Sequence, residues 1–114
     1  MPRLILATII FSCCLAAGGC VKFQPIMTPQ EFAASCQAAP DGADPACAAR
    51  VCDVYQAVVT DYHEDMASCQ AVCRQRAEEL LGNVSAQCRD KVEASRDLCL
   101  EFCDRKFYRC NCTK

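Results

Sequence analysis

The chain has 114 residues, a formal net charge of −2 and thirteen cysteines, with 53% hydrophobic and 7% aromatic residues. That length holds one domain, and the interspersed charges of both signs argue against a nucleic-acid partner. So many cysteines in so short a chain mark a disulfide scaffold, and hence an oxidising compartment.

The N-terminus reads as an export segment. Met1-Pro2-Arg3 is a short basic start, Leu4 to Ala17 is apolar or small throughout, and Ala17-Gly18-Gly19-Cys20 closes it. The apolar run is too short for a comfortable membrane span and has the layout of a cleaved signal. The small residues directly before Cys20 resemble the lipobox of bacterial lipoproteins, although Ala17 stands where leucine is usual. The resemblance covers about the first 20 residues. It implies cleavage before Cys20, palmitate-class acyl chains on that residue, and, with Val21 next rather than aspartate, an outer-membrane address. The expected division is therefore a signal peptide at 1–19, a lipidated tether at 20–28 and a cysteine-rich helical domain at 29–114.

The cysteine arithmetic agrees. Cys13 and Cys14 leave with the signal, and lipidation takes Cys20. Ten remain: Cys36, Cys47, Cys52, Cys69, Cys73, Cys88, Cys99, Cys103, Cys110 and Cys112. An even number suits complete pairing. The alternative is an ordinary signal cleavage after Ala17 or Gly19 that leaves Cys20 unmodified.

In chain order, Pro25 and Pro29 discourage regular structure ahead of a first helix. Thr28-Pro29-Gln30-Glu31 combines an N-cap, a proline at the first helical position and a capping-box glutamate. A short helix follows to about Ala39, with Phe32 and Cys36 on one face. The segment Pro40–Pro45 is a turn by composition, and Asp44-Pro45 repeats the N-cap signal.

A long helix is expected from Pro45 to about Leu81. Cys47, Val51, Val54, Tyr55, Val58, Tyr62, Met66, Cys69, Val72, Cys73 and Leu80 fall in one apolar stripe at helical period, with Arg76 intruding. The β-branched run Val58-Val59-Thr60 weakens propensity, but the period outweighs it. Gly82 is the expected C-cap, and Asn83 or Ser85 the cap of a second helix over roughly 86–110. The second stripe is Cys88, Val92, Ser95, Cys99, Phe102, Cys103, Lys106 and Cys110, within about 100° of arc.

Two CxxxC motifs, Cys69-Gln70-Ala71-Val72-Cys73 and Cys99-Leu100-Glu101-Phe102-Cys103, organise these helices. Residues four apart share a helix face. Two such faces packed antiparallel set Cys69 opposite Cys103 and Cys73 opposite Cys99, a two-rung ladder. That register centres the hairpin near residue 86, whereas Gly82–Ser85 centres it near 83 or 84; a tilt or a connection lengthened through Gln87 absorbs the difference. Pairing Cys69 with Cys99 fits the turn better but leaves Cys73 and Cys103 without equally good mates. The partners of Cys36, Cys47, Cys52, Cys88, Cys110 and Cys112 are left open, with Cys47 or Cys52 placed near the open end beside Cys110 and Cys112. The expected fold is all-α: a disulfide-stapled antiparallel helical hairpin with a short additional N-terminal helix.

The twin CxxxC resembles the staples of plant α-hairpinin peptides and of the small Tim chaperones, over those four cysteines alone. No function is carried across. Helices lined with CxxxC also occur in bacterial copper-storage proteins, and soft thiolates suit Cu(I). No CxxC, HExxH, CxxCH, phosphate-binding glycine loop or nucleophile motif is present, so neither catalysis nor a cofactor is expected. His63, beside Glu64 and Asp65, reads as part of a solvated helix face. Tyr55 and Tyr62 read as core, and Phe107-Tyr108 as a plug at the helix end. Asn83-Val84-Ser85 and Asn111-Cys112-Thr113 are glycosylation sequons that matter only in a eukaryotic source.

These readings point to a non-enzymatic envelope lipoprotein. It would be a rigid stalk or adaptor, held to the membrane by its lipid anchor and binding another envelope protein. A homodimer would complete a four-helix bundle. The alternatives are Cu(I) sequestration by a cysteine-lined bundle and a secreted hairpin-type defence or inhibitor peptide.

Overall fold

Local signals start each helix. The Thr28 N–H donates to Glu31 Oε2 at 2.7 Å while the Glu31 N–H donates to Thr28 Oγ1 at 3.1 Å, a reciprocal capping box. Asp44 Oδ1 accepts from the Cys47 N–H at 2.9 Å, with Pro45 next in line, as the sequence requires. The computed structural model describes residues 25–38 and 44–108. Among them are four α-helices: α1 (Pro29–Ala38), α2 (Pro45–Thr60), α3 (Met66–Leu81) and α4 (Arg89–Phe107). A 3-10 turn, Ala86–Cys88, leads into α4. The protein is all-α and cystine-stapled, and the expected hairpin is α3 with α4.

The continuous helix from Pro45 to Leu81 is corrected: it breaks at Asp61–Asp65. Both sides of the break are capped. The Val58 carbonyl, at the end of α2, accepts from the Asp61 N–H at 3.3 Å and from His63 Nε2–H at 2.8 Å. Asp65 opens α3, where its Oδ1 accepts from the Ser68 N–H at 2.7 Å and Ser68 Oγ faces the Asp65 N–H at 3.2 Å. These caps satisfy the orphan groups that a helix interruption creates. The Thr60 hydroxyl turns back to the Gln56 carbonyl at 2.9 Å, the competition with the helix ladder that β-branched hydroxyl residues bring.

Two side chains change roles with the break. Tyr62 is not core; it is 83% exposed. His63 is not on a solvated helix face; it is buried, and it closes the end of α2.

The interruption folds α2 back along the hairpin. Cys47 then lies beside Cys88, and the Tyr55 hydroxyl donates to the Val92 carbonyl at 3.3 Å, so α2 and α4 run in the same direction with α3 antiparallel to both. Helix α1 runs antiparallel to α4. Phe32 meets Phe102 edge-to-face at 6.3 Å between ring centres, and Cys36 Sγ lies 3.4 Å from Ser95 Oγ.

The core is as much sulfur as hydrocarbon. Phe32, Val51, Tyr55, Val92, Cys69, Cys73, Cys99 and Cys103 have no exposed surface. Half-cystines serve as apolar filling here, in keeping with the burial habit of cysteine. Met27 is also buried, so packing begins within the segment read as tether.

The connection after α3 runs longer than a four-residue turn. Gly82 caps α3 as expected, but with φ −73°, in the ordinary right-handed region. Neither Asn83 nor Ser85 caps the following helix through its side chain. Asn83 Nδ2 instead donates to the Glu79 carbonyl at 2.8 Å, closing α3. The second helix proper spans 89–107 rather than 86–110, its first turn being the tighter 3-10 form. The chain from Gly82 to Cys88 supplies the length that the ladder register needs.

Candidate functional site

Four disulfides join the described cysteines. Cys69 pairs with Cys103 and Cys73 with Cys99, at Cα separations of 5.8 and 5.9 Å, so the two-rung ladder holds as read. Cys36 pairs with Cys52, pinning α1 to α2, and Cys47 with Cys88, pinning the start of α2 to the closed end of the hairpin. The placement of Cys47 near the open end was tied to the unbroken helix and is corrected with it. Cys20, Cys110 and Cys112 lie outside the described residues, as does the signal segment. Among the described residues the cysteine sulfurs are joined in pairs, and multiple disulfides place the folded domain in an oxidising setting.

Next to the ladder, on α4, is a polar group that the sequence pattern did not flag. Lys91 is 1% exposed, and its Nζ donates to the Cys36 carbonyl at the end of α1. Ser95, one turn on, meets Cys36 Sγ. A buried cation is tolerated only with polar partners, so this group fixes where α1 ends against α4. The stripe predicted Ser95, but Lys91 sits one residue before Val92 and reads as solvated by period alone.

Two shallow clefts mark the flanks. One, of about 360 Å³, lies between α2 and α3 and is lined by Arg50, Val54, Arg76, Leu80 and Asn83 among others. Arg76 is turned along its own helix to Glu79, 2.7 Å away, rather than laid over the stripe. The other, of about 370 Å³, lies between α3 and α4 and sets Arg74 and Arg96 among Glu78 and Asp97. Arg96 is already engaged by Asp97 at 3.0 Å. Neither cleft gathers a nucleophile with a base, and among the described residues no three His, Cys, Asp or Glu side chains converge on a metal position.

The open end of the bundle has a different character. Ile26, Tyr62 and Tyr108, at 66%, 83% and 56% exposure, are the large exposed hydrophobic residues of the described structure. The cross-links bring all three to one level. Cys69 stands opposite Cys103, and Gln70 Nε2 donates to Asp104 Oδ1 at 2.6 Å, so the Asp61–Asp65 link lies over the end of α4, beside Tyr108. Phe32 against Phe102 and Cys36 against Ser95 carry the start of α1, and with it Ile26, to the same end. Phe107-Tyr108 splits: Phe107 packs on the core under Lys106, whose Nζ lies 5.4 Å from its ring centre, while Tyr108 projects. The plug reading therefore holds for Phe107 alone.

Among the described residues no helix is long and apolar enough to cross a membrane. No family model, no curated protein and no solved structure matches this chain.

Proposed function

We propose that the chain is an exported, non-enzymatic lipoprotein. Its signal peptide 1–19 is removed, Cys20 is acylated, and the cystine-stapled bundle serves as a rigid stalk or adaptor for another envelope protein at the outer membrane. The observation that carries this reading is the cysteine inventory. All eight described cysteines are paired with one another, and cleavage with acylation at Cys20 removes the odd one from the thirteen. A bundle whose four helices are all tied in by cross-links offers preformed faces, and little conformational entropy is lost when a partner docks on them. Two or more acyl chains hold such a domain stably at a bilayer.

Intact mass of the native protein, before and after reduction with alkylation, tests the reading. A lipid-sized excess on a chain beginning at Cys20, with ten cysteines alkylating only after reduction, is the expected result. An unmodified Cys20, or thiols free before reduction together with bound copper, overturns it.

A further inference from the structure

We infer that the end of the bundle bearing Ile26, Tyr62 and Tyr108 rests on the membrane surface, so that the domain stands upright on its anchor. The inference builds on the lipoprotein reading above and gives the anchored domain an orientation. Three observations carry it. The exposed large apolar side chains of the described structure are gathered at one end, and two of them are tyrosines, whose ring and hydroxyl suit the boundary between acyl chains and headgroups.

Second, the chain enters the bundle at that same end. Ile26 is six residues from Cys20, a reach of about 20 Å when fully extended, so an acylated Cys20 holds this end within that distance of the bilayer. The opposite end, at Gly82–Cys88, stands about 30 Å further along helices of 16 and 19 residues.

Third, the rim shows what kind of contact is made. Among the described residues Asp61, Glu64, Asp65 and Asp104 outnumber Arg105 and Lys106 there, and Arg105 is already paired with Glu101 at 2.6 Å. The described part of the rim is not an electrostatic magnet for anionic lipid. Contact is apolar and shallow, with the acyl chains supplying the hold and the three side chains setting the angle.

The natural chain contains no tryptophan, so a single one reports on its own position. The acylated full chain is prepared as Tyr62→Trp and, separately, as Gln87→Trp, an exposed site at the closed end. Each is reconstituted in phosphatidylcholine vesicles with bromine on the upper acyl positions. Emission from the Tyr62→Trp protein should fall by half or more, and that from Gln87→Trp should not change. Replacing a third of the lipid by phosphatidylglycerol should leave the quenching no stronger. Ile26→Asp with Tyr108→Asp, added to Tyr62→Trp, should restore most of the emission while the protein still floats with the vesicles.

Flotation without quenching at position 62, or equal quenching at both positions, overturns the upright seating while leaving the anchor intact. A blue shift at position 62 that needs protein concentration rather than lipid assigns this end to a second copy and overturns it too. A chain that fails to float and carries no acyl mass overturns the lipoprotein reading, and the seating falls with it.

Discussion

Cys73 Sγ lies 3.6 Å from Cys103 Sγ, although each is bonded to a different partner. The two rungs of the ladder are thus within one sulfur contact of exchanging. Cys99→Ser would leave Cys73 as a thiol beside the Cys69–Cys103 bond. Its thiolate can attack Cys103 sulfur, forming the Cys73–Cys103 bond and releasing Cys69 as the thiolate, with no net oxidation. Peptide mapping after alkylation at neutral pH should find the label divided between Cys73 and Cys69. Label on Cys73 alone would show that burial forbids the attack.

The break between α2 and α3 depends on Asp65. Its hydrogen bonds from Ser68, backbone first, hold its carboxyl below the ordinary value of 3.8. A lowered folded value stabilises the fold above the unfolded pKa, and that contribution is lost as pH falls through the folded one. Asp65→Ala should lower Tm by a few degrees at neutral pH and weaken the further fall on acidification. Asp65→Ser, which keeps a capping oxygen without the charge, should recover part of the Tm but not the acid dependence. Thermal unfolding by circular dichroism from pH 7 to pH 2 reads both.

Alkali should act through Tyr55. Burial pushes its phenol up from 10 to about 12. A raised folded value means that folding favours the neutral phenol, so this contribution is full below pH 10 and declines between 10 and about 12. Tyr55→Phe loses the bond to the Val92 carbonyl, costing about 1 kcal/mol at neutral pH. It should also flatten the decline above pH 10. Urea midpoints taken within minutes of a pH jump check this before base attacks the disulfides.

Lys91→Met keeps a long apolar stem but removes the donor to the Cys36 carbonyl. Losing that buried hydrogen bond should cost about 1–3 kcal/mol in urea unfolding. The loss should fall on α1, so proteolysis near Phe32 should accelerate more than proteolysis near Gly82. Unchanged stability would mean that the carbonyl finds water.

The hairpin was legible because its signal is local and repeated. Two CxxxC motifs at helical spacing fix a face, and antiparallel pairing leaves one register in which all four sulfurs find mates. Capping at Thr28 and Asp44 was equally plain, since both carry the acceptor and the proline in the right order. The helix break was not legible. Apolar period runs unbroken from Val58 through Tyr62 to Met66, and only Asp65 with Ser68 three residues on marked a new start. Aspartate with serine is a weaker box than serine or threonine with glutamate, and it sat inside a helical pattern. Missing it displaced Cys47 by the length of a whole helix and left Cys88 without a mate. His63 followed the same error, because a histidine that closes a helix end has no signature until the end is known.

The order of the cross-links has a consequence for survival among proteases. Cys36–Cys52 lies wholly before the Asp61–Asp65 link, and both ladder rungs lie wholly after it. Cys47–Cys88 alone, among the described bonds, bridges the two sides. An enzyme that clips the chain beside the exposed Tyr62 therefore produces two peptides that stay one particle, each half internally clamped and the pair held, among the described bonds, by one bolt. The clipped particle should migrate as intact protein until a reductant opens that bolt.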